Sequence, residues 1–470
     1  MEDNDKQQKK KTSFQFAVVG NGLIGSAAGR YLSEWSPHSV VIIGPGEPPS
    51  DATSSSTVFS SHYDQGRLCR RVSRDPIWHV VNGQAVQNYG KLQQQSGIQF
   101  HSPVGNVKAA CRSPQERQKF LEWIQKMELE QAHQNQKQQY QYFPAGDSSW
   151  KQNKELSMLE FAPECDVFSE SGPSGCINPR QLIAAQNTIA QQHGATILSE
   201  LVVHVEEGAK GVLITLANGE TITAEKVLIA SGAFTNFHQL LPEPIPLRYK
   251  TETTVWGTVS EQTAKELQSM PAVCYDITSV QPENKQPQND TAPPAIDDLY
   301  MAPPLLYPDG TYKIKMGCNT RNETWPTTLE EIQEWFLRGN SDADLPPMMQ
   351  ALQGQLPKVS FEQCTSHRCI VTYTPSGYPT IDAVPSRSNS SRLFVAAGGN
   401  GTSAQGSDTL GQLAAGLMLD GRWTLEPFGI SRDVFRATHQ WGEQQDSHNN
   451  QKTVPSKAQQ RAMALVDSSS

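Results

Sequence analysis

Apolar residues fall in short runs separated by stretches with helical spacing. Phe14 to Val19 is a compact run of β-formers and reads as a buried strand, while the polar, basic residues 1 to 12 before it read as a disordered tail. Leu23 to Trp35 follows with helical period, and its small residues Gly25, Ala27, Ala28 and Gly29 would let it lie close to a sheet. Ser39 to Ile43 supplies a second strand, so the chain opens on a βαβ unit. Ser113 to Tyr142 is helical by pattern, through Phe120, Leu121, Trp123, Ile124, Met127 and Leu129, before it runs into Gln-rich sequence read as a solvated helix end. Asn178 to His193 reads as amphipathic helix and Thr196 to Glu206 as a strand. Gly211 to Leu216 with Glu220 to Ala224 reads as a hairpin turning at Ala217-Asn218-Gly219, and Val227 to Ser231 as another buried strand. From about 245 to 365 strands mix with one acidic helix, Leu329 to Leu337, around the polar, Pro-rich segment Gln281 to Asp298. Cys369 to Gly401 returns to short strands and Gly416 to Leu419 lies in a helix. The polar sequence 443–470 reads as a disordered tail.

These elements predict an α/β fold of two interleaved domains. A Rossmann-like dinucleotide-binding domain is expected from residues 13–80, 170–240 and 366–425. A mixed-sheet α+β domain over the substrate is expected from 81–169 and 241–365. The length of 470 residues exceeds one ordinary core and leaves room to bury a large cofactor.

Composition narrows the partners. With 37% hydrophobic and 19% charged residues the chain is lean but globular, and its net charge of -9 excludes a nucleic-acid phosphate backbone as partner. The eight cysteines show no C-x-x-C pair, so no metal site or redox dithiol is read and a reduced, cytoplasmic setting is expected. No membrane or signal segment is read at the amino terminus, and Asp467-Ser468-Ser469-Ser470 does not spell the usual peroxisomal address, which leaves that compartment open. A monomer is expected.

Candidate chemistry begins at Val18-Val19-Gly20-Asn21-Gly22-Leu23-Ile24-Gly25. In such a turn the first glycine bends the chain, the second admits a pyrophosphate to the backbone, and the third lets helix and strand pack. The phosphates then sit on the helix N-terminus, where unpaired N–H groups favour anions. The second strand normally ends in an acid for the adenosine ribose, but here Ile43 is followed by Gly44, with Glu47 three residues on as a substitute. The strand from Lys226 to Ala233, carrying Gly232 and following the Val202-Val203-His204 strand, reads either as one that returns to the nucleotide or as an ordinary buried strand with a glycine turn.

With these pieces in order the chain resembles the FAD-dependent amino acid oxidase family, nearest its sarcosine oxidase and pipecolate oxidase branch. Four separated matches between residues 16 and 420 carry the resemblance. Ser61-His62-Tyr63-Asp64-Gln65-Gly66-Arg67-Leu68-Cys69-Arg70-Arg71 is similar to the family's Ser-His-x-Gly-Asp-x-Arg-x-x-Arg segment, which implies Arg67 against the flavin and Arg70 on the substrate carboxylate. The bland alternative is a basic surface strand. Tyr312 to Gly317 resembles the strand whose lysine faces the reactive edge of the flavin, which implies Lys315, while Tyr300 resembles an active-site tyrosine. Lys313 and Lys315 also suit a solvated strand edge. Cys369 stands thirteen residues before Asp382, the spacing of the cysteine that carries the flavin 8-methyl group in the sarcosine oxidase branch; a buried thiol at Cys369, or Cys364 in its place, stays open. Leu393 to Ser403, with Gly398, Gly399, Asn400 and Gly401, resembles the strand and turn that close over the isoalloxazine.

The resemblance implies a two-domain flavoprotein that oxidises the C–N bond of an amino acid or secondary amine to an imine and passes the electrons to O2 as H2O2. Gly20, Gly22, Leu23, Ile24, Gly25, Ser61, His62, Arg67, Val203, Gly232, Cys369 and the Gly398 to Gly401 turn are then expected at FAD. Lys315, Arg67, Arg70, Tyr300 and Gln405 are expected at the chemistry, with no obligatory protein base. Gln405, Tyr63, Asn319 and Val371 depart from the family's residues and leave the substrate open. The competing expectations are an amine dehydrogenase with another electron acceptor and a catalytically degenerate flavin-binding protein.

Overall fold

The computed structural model describes residues 12–48, 57–133, 140–276, 296, 298–320, 322–385, 391–438 and 440–441, so the expected tails, apart from Thr12, and most of the Pro-rich segment lie outside the described residues. An eight-stranded sheet forms the first layer. Its parallel centre is β1 (Ser13–Val19) beside β2 (Val40–Ile43), with β9 (Thr196–Leu198) at the β2 edge. On the other flank β1 pairs with β12 (Thr221–Ile229), which continues into antiparallel β11 (Gly211–Leu216) and β10 (Val202–Gly208). The end of β12 also pairs with β20 (Leu393–Ala397), and β20 with β19 (Thr380–Ala383). Phe16 to Val19 and Val40 to Ile43 are buried throughout, as expected of parallel strands covered on both faces. Helices α1 (Leu23–Trp35), α4 (Pro179–Gln192) and α8 (Ser407–Leu419) pack together on one face. Their contact is close because the side chains are small: a Cβ on Gly411 would lie 2.4 Å from that of Ala27.

The second layer is a nine-stranded mixed sheet in the order β18-β13-β17-β15-β14-β5-β7-β6. It comprises β5 (Asn106–Ala110), β6 (Tyr140–Phe143), β7 (Asp166–Glu170), β13 (Arg248–Val259), β14 (Ala272–Asp276), β15 (Asp298–Met301), β16 (Leu305–Leu306), β17 (Tyr312–Gly317) and β18 (Gln363–Tyr373). A short sheet of β3 (Arg67–Cys69), β4 (His101–Ser102) and β8 (Gly175–Ile177) also carries the arginine segment. The remaining helices are α2 (Pro76–Ser96), α3 (Pro114–His133), α5 (Glu261–Glu266), α6 (Leu329–Arg338) and α7 (Leu345–Gln355). Met348 and Leu352 of α7 join Val255, Ile314 and Met316 in the core behind this sheet.

Several elements differ from expectation for identifiable reasons. The helix read through Tyr142 stops at His133, and Tyr140–Phe143 is a strand on β7, because Tyr140 stacks on Phe168 rather than continuing the apolar stripe. The strand read over Thr196 to Glu206 is two strands at opposite edges of the first sheet, so the chain breaks between Leu198 and Val202 to cross it. The hairpin arm and the buried strand after it are one strand, β12, whose start pairs with β11 and whose end pairs with β20. The expected boundary at residue 80 falls inside α2, which packs on α4 and α8. Cys111 and Cys165 are not free thiols, contrary to the expected reduced set. They form a disulfide, Cα–Cα 3.9 Å, beside the cross-strand pair Ala110 and Asp166. Among the described residues no helix is long and apolar enough to cross a membrane, and no cluster of His, Cys, Asp and Glu could hold a metal ion.

Candidate active site

A cavity of about 520 Å³ runs from the turn after β1, past the arginine segment, to the face of the second sheet. At its first end Gly20 has φ +112°, and a Cβ there would lie 2.3 Å from the Ala230 carbonyl oxygen. A Cβ on Gly25 would lie 1.8 Å from the Gly20 carbonyl oxygen, so the third glycine holds α1 against the turn and does not line the cavity. Gly20, Gly22, Leu23 and Ile24 line it, with α1's first N–H groups behind them. Gly44 also has a steric reason to be glycine: its Cβ would approach the Asn21 amide to 2.6 Å. Glu47 is exposed, pairs with Arg180 at 2.6 Å and lies off the cavity wall. A glycine cradle, an N-terminal helix dipole and a long chamber beyond them fit a dinucleotide.

At the other end the register of the second sheet decides which side chains face the chamber. Across β13 and β18, Trp256 is opposite Thr365, Thr254 opposite His367, Glu252 opposite Cys369 and Lys250 opposite Val371. Alternation along each strand puts these β13 residues on one face, and all four line the cavity. Cys369 lies on that face with His367 and Val371, whereas Cys364, five residues earlier, packs into the core behind the sheet. On β17, Lys315 is opposite Trp256 and Gly317 opposite Thr254; Tyr300 of β15 is opposite Gly317 and its ring lies across that glycine.

Lys315 and Arg67 converge on Asp64, a residue the sequence reading did not select. The Lys315 ammonium lies 2.6 Å from Asp64 Oδ2, Arg67 pairs with the same oxygen, and Tyr307 donates to Oδ1 at 2.8 Å. Burial alone would raise the Asp64 pKa, but Lys315 and Arg67 hold it well below the carboxylate range. Lys315 is pushed down by burial first and then by Arg67, with Asp64 opposing. The signal in the sequence was an acid three residues before Arg67; its second partner lies 251 residues away.

Arg70 is placed differently. Its backbone N–H donates to Gln405 Oε1 at 2.9 Å, and its Nη1 lies 3.6 Å from Cys274 Sγ. Its Nε is buried with no partner, so among the described residues this guanidinium faces the chamber without a carboxylate. Burial raises the Cys369 thiol pKa, partly offset by Arg67 and Lys315. Burial, then Arg180 and Arg67, lowers His62 to about 3 and keeps it neutral.

The chamber wall includes Ser61, His62, Arg67, Arg70, Gly232, Tyr300, Lys315, Cys369, Gly398, Gly399, Gly401 and Gln405. Val203 is absent from its wall. Val202 takes the place, next to a register shift in the β10–β11 pairing. Asn400 is also behind the wall, with φ 49° and its side chain donating to the Gly398 carbonyl at 2.7 Å, so it braces the turn. Glu252, Lys250, Trp256 and His367 line the chamber without having been selected from the sequence.

A glycine cradle on a parallel sheet, opening into a chamber floored by a mixed sheet with an arginine pair and a buried lysine, defines a two-domain flavoprotein oxidoreductase. Residues 15–417 match the family model described as FAD dependent oxidoreductase (DAO), and the chain belongs to that family. The chain is 21% identical to the monomeric sarcosine oxidase of Bacillus sp. (strain NS-129) over 433 residues, covering 90% of this chain and 98% of that one. Among solved structures it is similar to a point mutant of NikD, described as an unusual amino acid oxidase essential for nikkomycin biosynthesis, in its open form. The TM-score is 0.68 at 14% identity, over 94% of this chain and 100% of that one. L-proline dehydrogenase from P. horikoshii shares the fold at TM-score 0.62 and 14% identity, over 91% and 98%.

Proposed function

We propose that this FAD-dependent oxidoreductase oxidises the C–N bond of a carboxylate-bearing amine, a secondary amine or amino acid, to an imine, with O2 as electron acceptor and H2O2 as product. The observation that carries the reading is Arg70: a guanidinium lining the chamber with no carboxylate partner among the described residues is suited to a ligand carboxylate in bidentate geometry. Its backbone is fixed by Gln405, and Tyr89 donates to the Gln405 carbonyl at 2.5 Å, which holds that support in place. Bound FAD would accept the hydride and deliver the electrons onward. Gly20, Gly22 and α1 would hold its pyrophosphate, and the turn from Gly398 to Gly401 and Arg67 would lie at the flavin. Tyr300, whose ring lies across Gly317, would pack against the bound substrate. Cys369, on the chamber face, is the residue proposed for a thioether to the flavin; the orientation of Cys364 away from the chamber supports this choice. Lys315 would assist oxygen as a fixed cation.

The Asp64 carboxylate against Lys315 and Arg67 offsets part of that positive charge and favours a second reading, a dehydrogenase with another acceptor. One experiment separates them. The purified yellow protein is mixed anaerobically with a panel of N-methyl and cyclic amino acids, then exposed to air. Bleaching followed by stoichiometric peroxide supports the oxidase, bleaching that persists in air supports the dehydrogenase, and no bleaching across the panel refutes amine turnover.

A further inference from the structure

The chamber has a second charged wall, opposite in sign to Arg70. Lys250 Nζ donates to Asn319 Oδ1 at 2.9 Å and forms ion pairs with Glu252 Oε2 at 3.1 Å and Glu323 Oε1 at 3.0 Å. Asn319 in turn donates to Asp298 at 2.8 Å. Two carboxylates, Glu252 and Glu323, therefore share a single lysine, and a third, Asp298, stands one hydrogen bond further out on Asn319. Of the three only Glu252 lines the cavity, and only its Oε2 is taken up by Lys250. Glu252 thus keeps an oxygen that Lys250 does not take, on a half-buried side chain open to the chamber, where an arriving cation can meet it.

We propose that Glu252 holds the cationic nitrogen of the substrate, so that the chamber takes zwitterions, with the carboxylate at Arg70 and the ammonium at Glu252. This rests on the amine reading of the chamber and extends it to the charge state that binds. When that ammonium carries an N–H, Glu252 is placed to take its proton, leaving the nitrogen lone pair free as hydride leaves the neighbouring carbon. No other reactant is needed for that proton transfer. Burial lifts the Glu252 carboxyl to about 7, with Lys250 lowering it and Glu323 and Asp298 raising it. From the other strands it is faced by Cys369 and Tyr373 of β18, Tyr300 of β15 and the Cys318 thiol after β17. Recognition of the cation should therefore weaken as pH falls through about 7.

The test needs no turnover. Titration calorimetry on the flavin-loaded protein compares glycine betaine with 3,3-dimethylbutanoate, and 4-(trimethylammonio)butanoate with 5,5-dimethylhexanoate. Each pair shares shape and carboxylate and differs only in the cationic nitrogen. At pH 8 at least one cation should bind about tenfold tighter than its isostere. That preference should shrink at pH 6, collapse in Glu252→Gln and survive in Glu252→Asp. Glu323 and Asn319 keep Lys250 partnered in both variants. Equal binding within both pairs, binding of none of the four, or a preference that persists in Glu252→Gln overturns the assignment. Because binding is read without turnover, such a result leaves the oxidase reading to be judged by bleaching and peroxide alone.

Discussion

Replacing Asp64 by Asn removes the counter-charge on which buried Lys315 and half-buried Arg67 depend. In the wild type one carboxylate meets Lys315 at 2.6 Å and also pairs with Arg67, while accepting from Tyr307 at 2.8 Å and from the Gln65 amide at 2.7 Å. Asn keeps the shape and can still accept one or two of these bonds, but leaves both cations without an anion among the described residues. Breaking a buried ion pair on one side costs about 3–5 kcal/mol, and that is the loss expected. The sign with pH follows from the depressed Asp64 pKa. Its contribution is fully present above the unfolded value of about 3.9 and is lost as pH falls towards the folded value. The gap between wild type and variant should thus be full at pH 7 and narrow below about pH 4. Denaturant midpoints, measured with flavin bound, read the gap, and a second cycle locates its cause. In Asp64→Asn/Lys315→Met one stranded cation is gone, and about 1–3 kcal/mol should return. A loss under about 1 kcal/mol at pH 7, or no recovery in the double variant, would refute the reasoning.

Three further outcomes are expected. Acid precipitation should leave yellow colour on the peptide containing Cys369; Cys369→Ser should release all flavin to the supernatant and Cys364→Ser should release none, as mass spectrometry of the peptide would show. Arg70→Lys replaces a planar fork by a point charge and should raise KM for carboxylate substrates about tenfold with a smaller effect on kcat; an unchanged KM would remove Arg70 from substrate binding. His62 is held neutral down to about 3, against an ordinary value of 6.5. The unfolded chain takes up that proton first, so stability falls as pH drops from about 6.5 towards 3. His62→Gln should flatten this acid limb, and a limb of unchanged slope would show that the ring titrates normally.

What could be read in advance was local. The glycine turn and α1 are legible because their geometry is set within a few residues, and Arg67, Arg70, Lys315 and Cys369 because each sits in a short segment with its own spacing. Asp64 is not legible in the sequence, because its meaning lies in a lysine 251 positions on. Helix α2 stayed hidden because its buried Trp78, Val81, Ala85, Val86, Tyr89 and Leu92 alternate with amide side chains that blur the apolar stripe. Val202 rather than Val203 lines the chamber, and two adjacent valines do not reveal which of them does, because one residue's shift on a strand exchanges its faces. Glu252 could not be singled out, since its role depends on Lys250, Glu323 and Asn319 arriving from different segments.

The threading of the first sheet bears on how the protein is made. β12 receives β20 only when residues 393–397 exist, and α1 is covered by α8 only after residue 407. A ribosome that has released the glycine turn must therefore make most of the remaining chain before the cradle has its outer wall, while the small-residue face of α1 waits uncovered. Long-range pairing of this kind slows folding and exposes apolar surface to neighbours. Arrested chains ending before residue 393 should fail to retain flavin, which would make cofactor loading one of the last events in the life of the nascent chain.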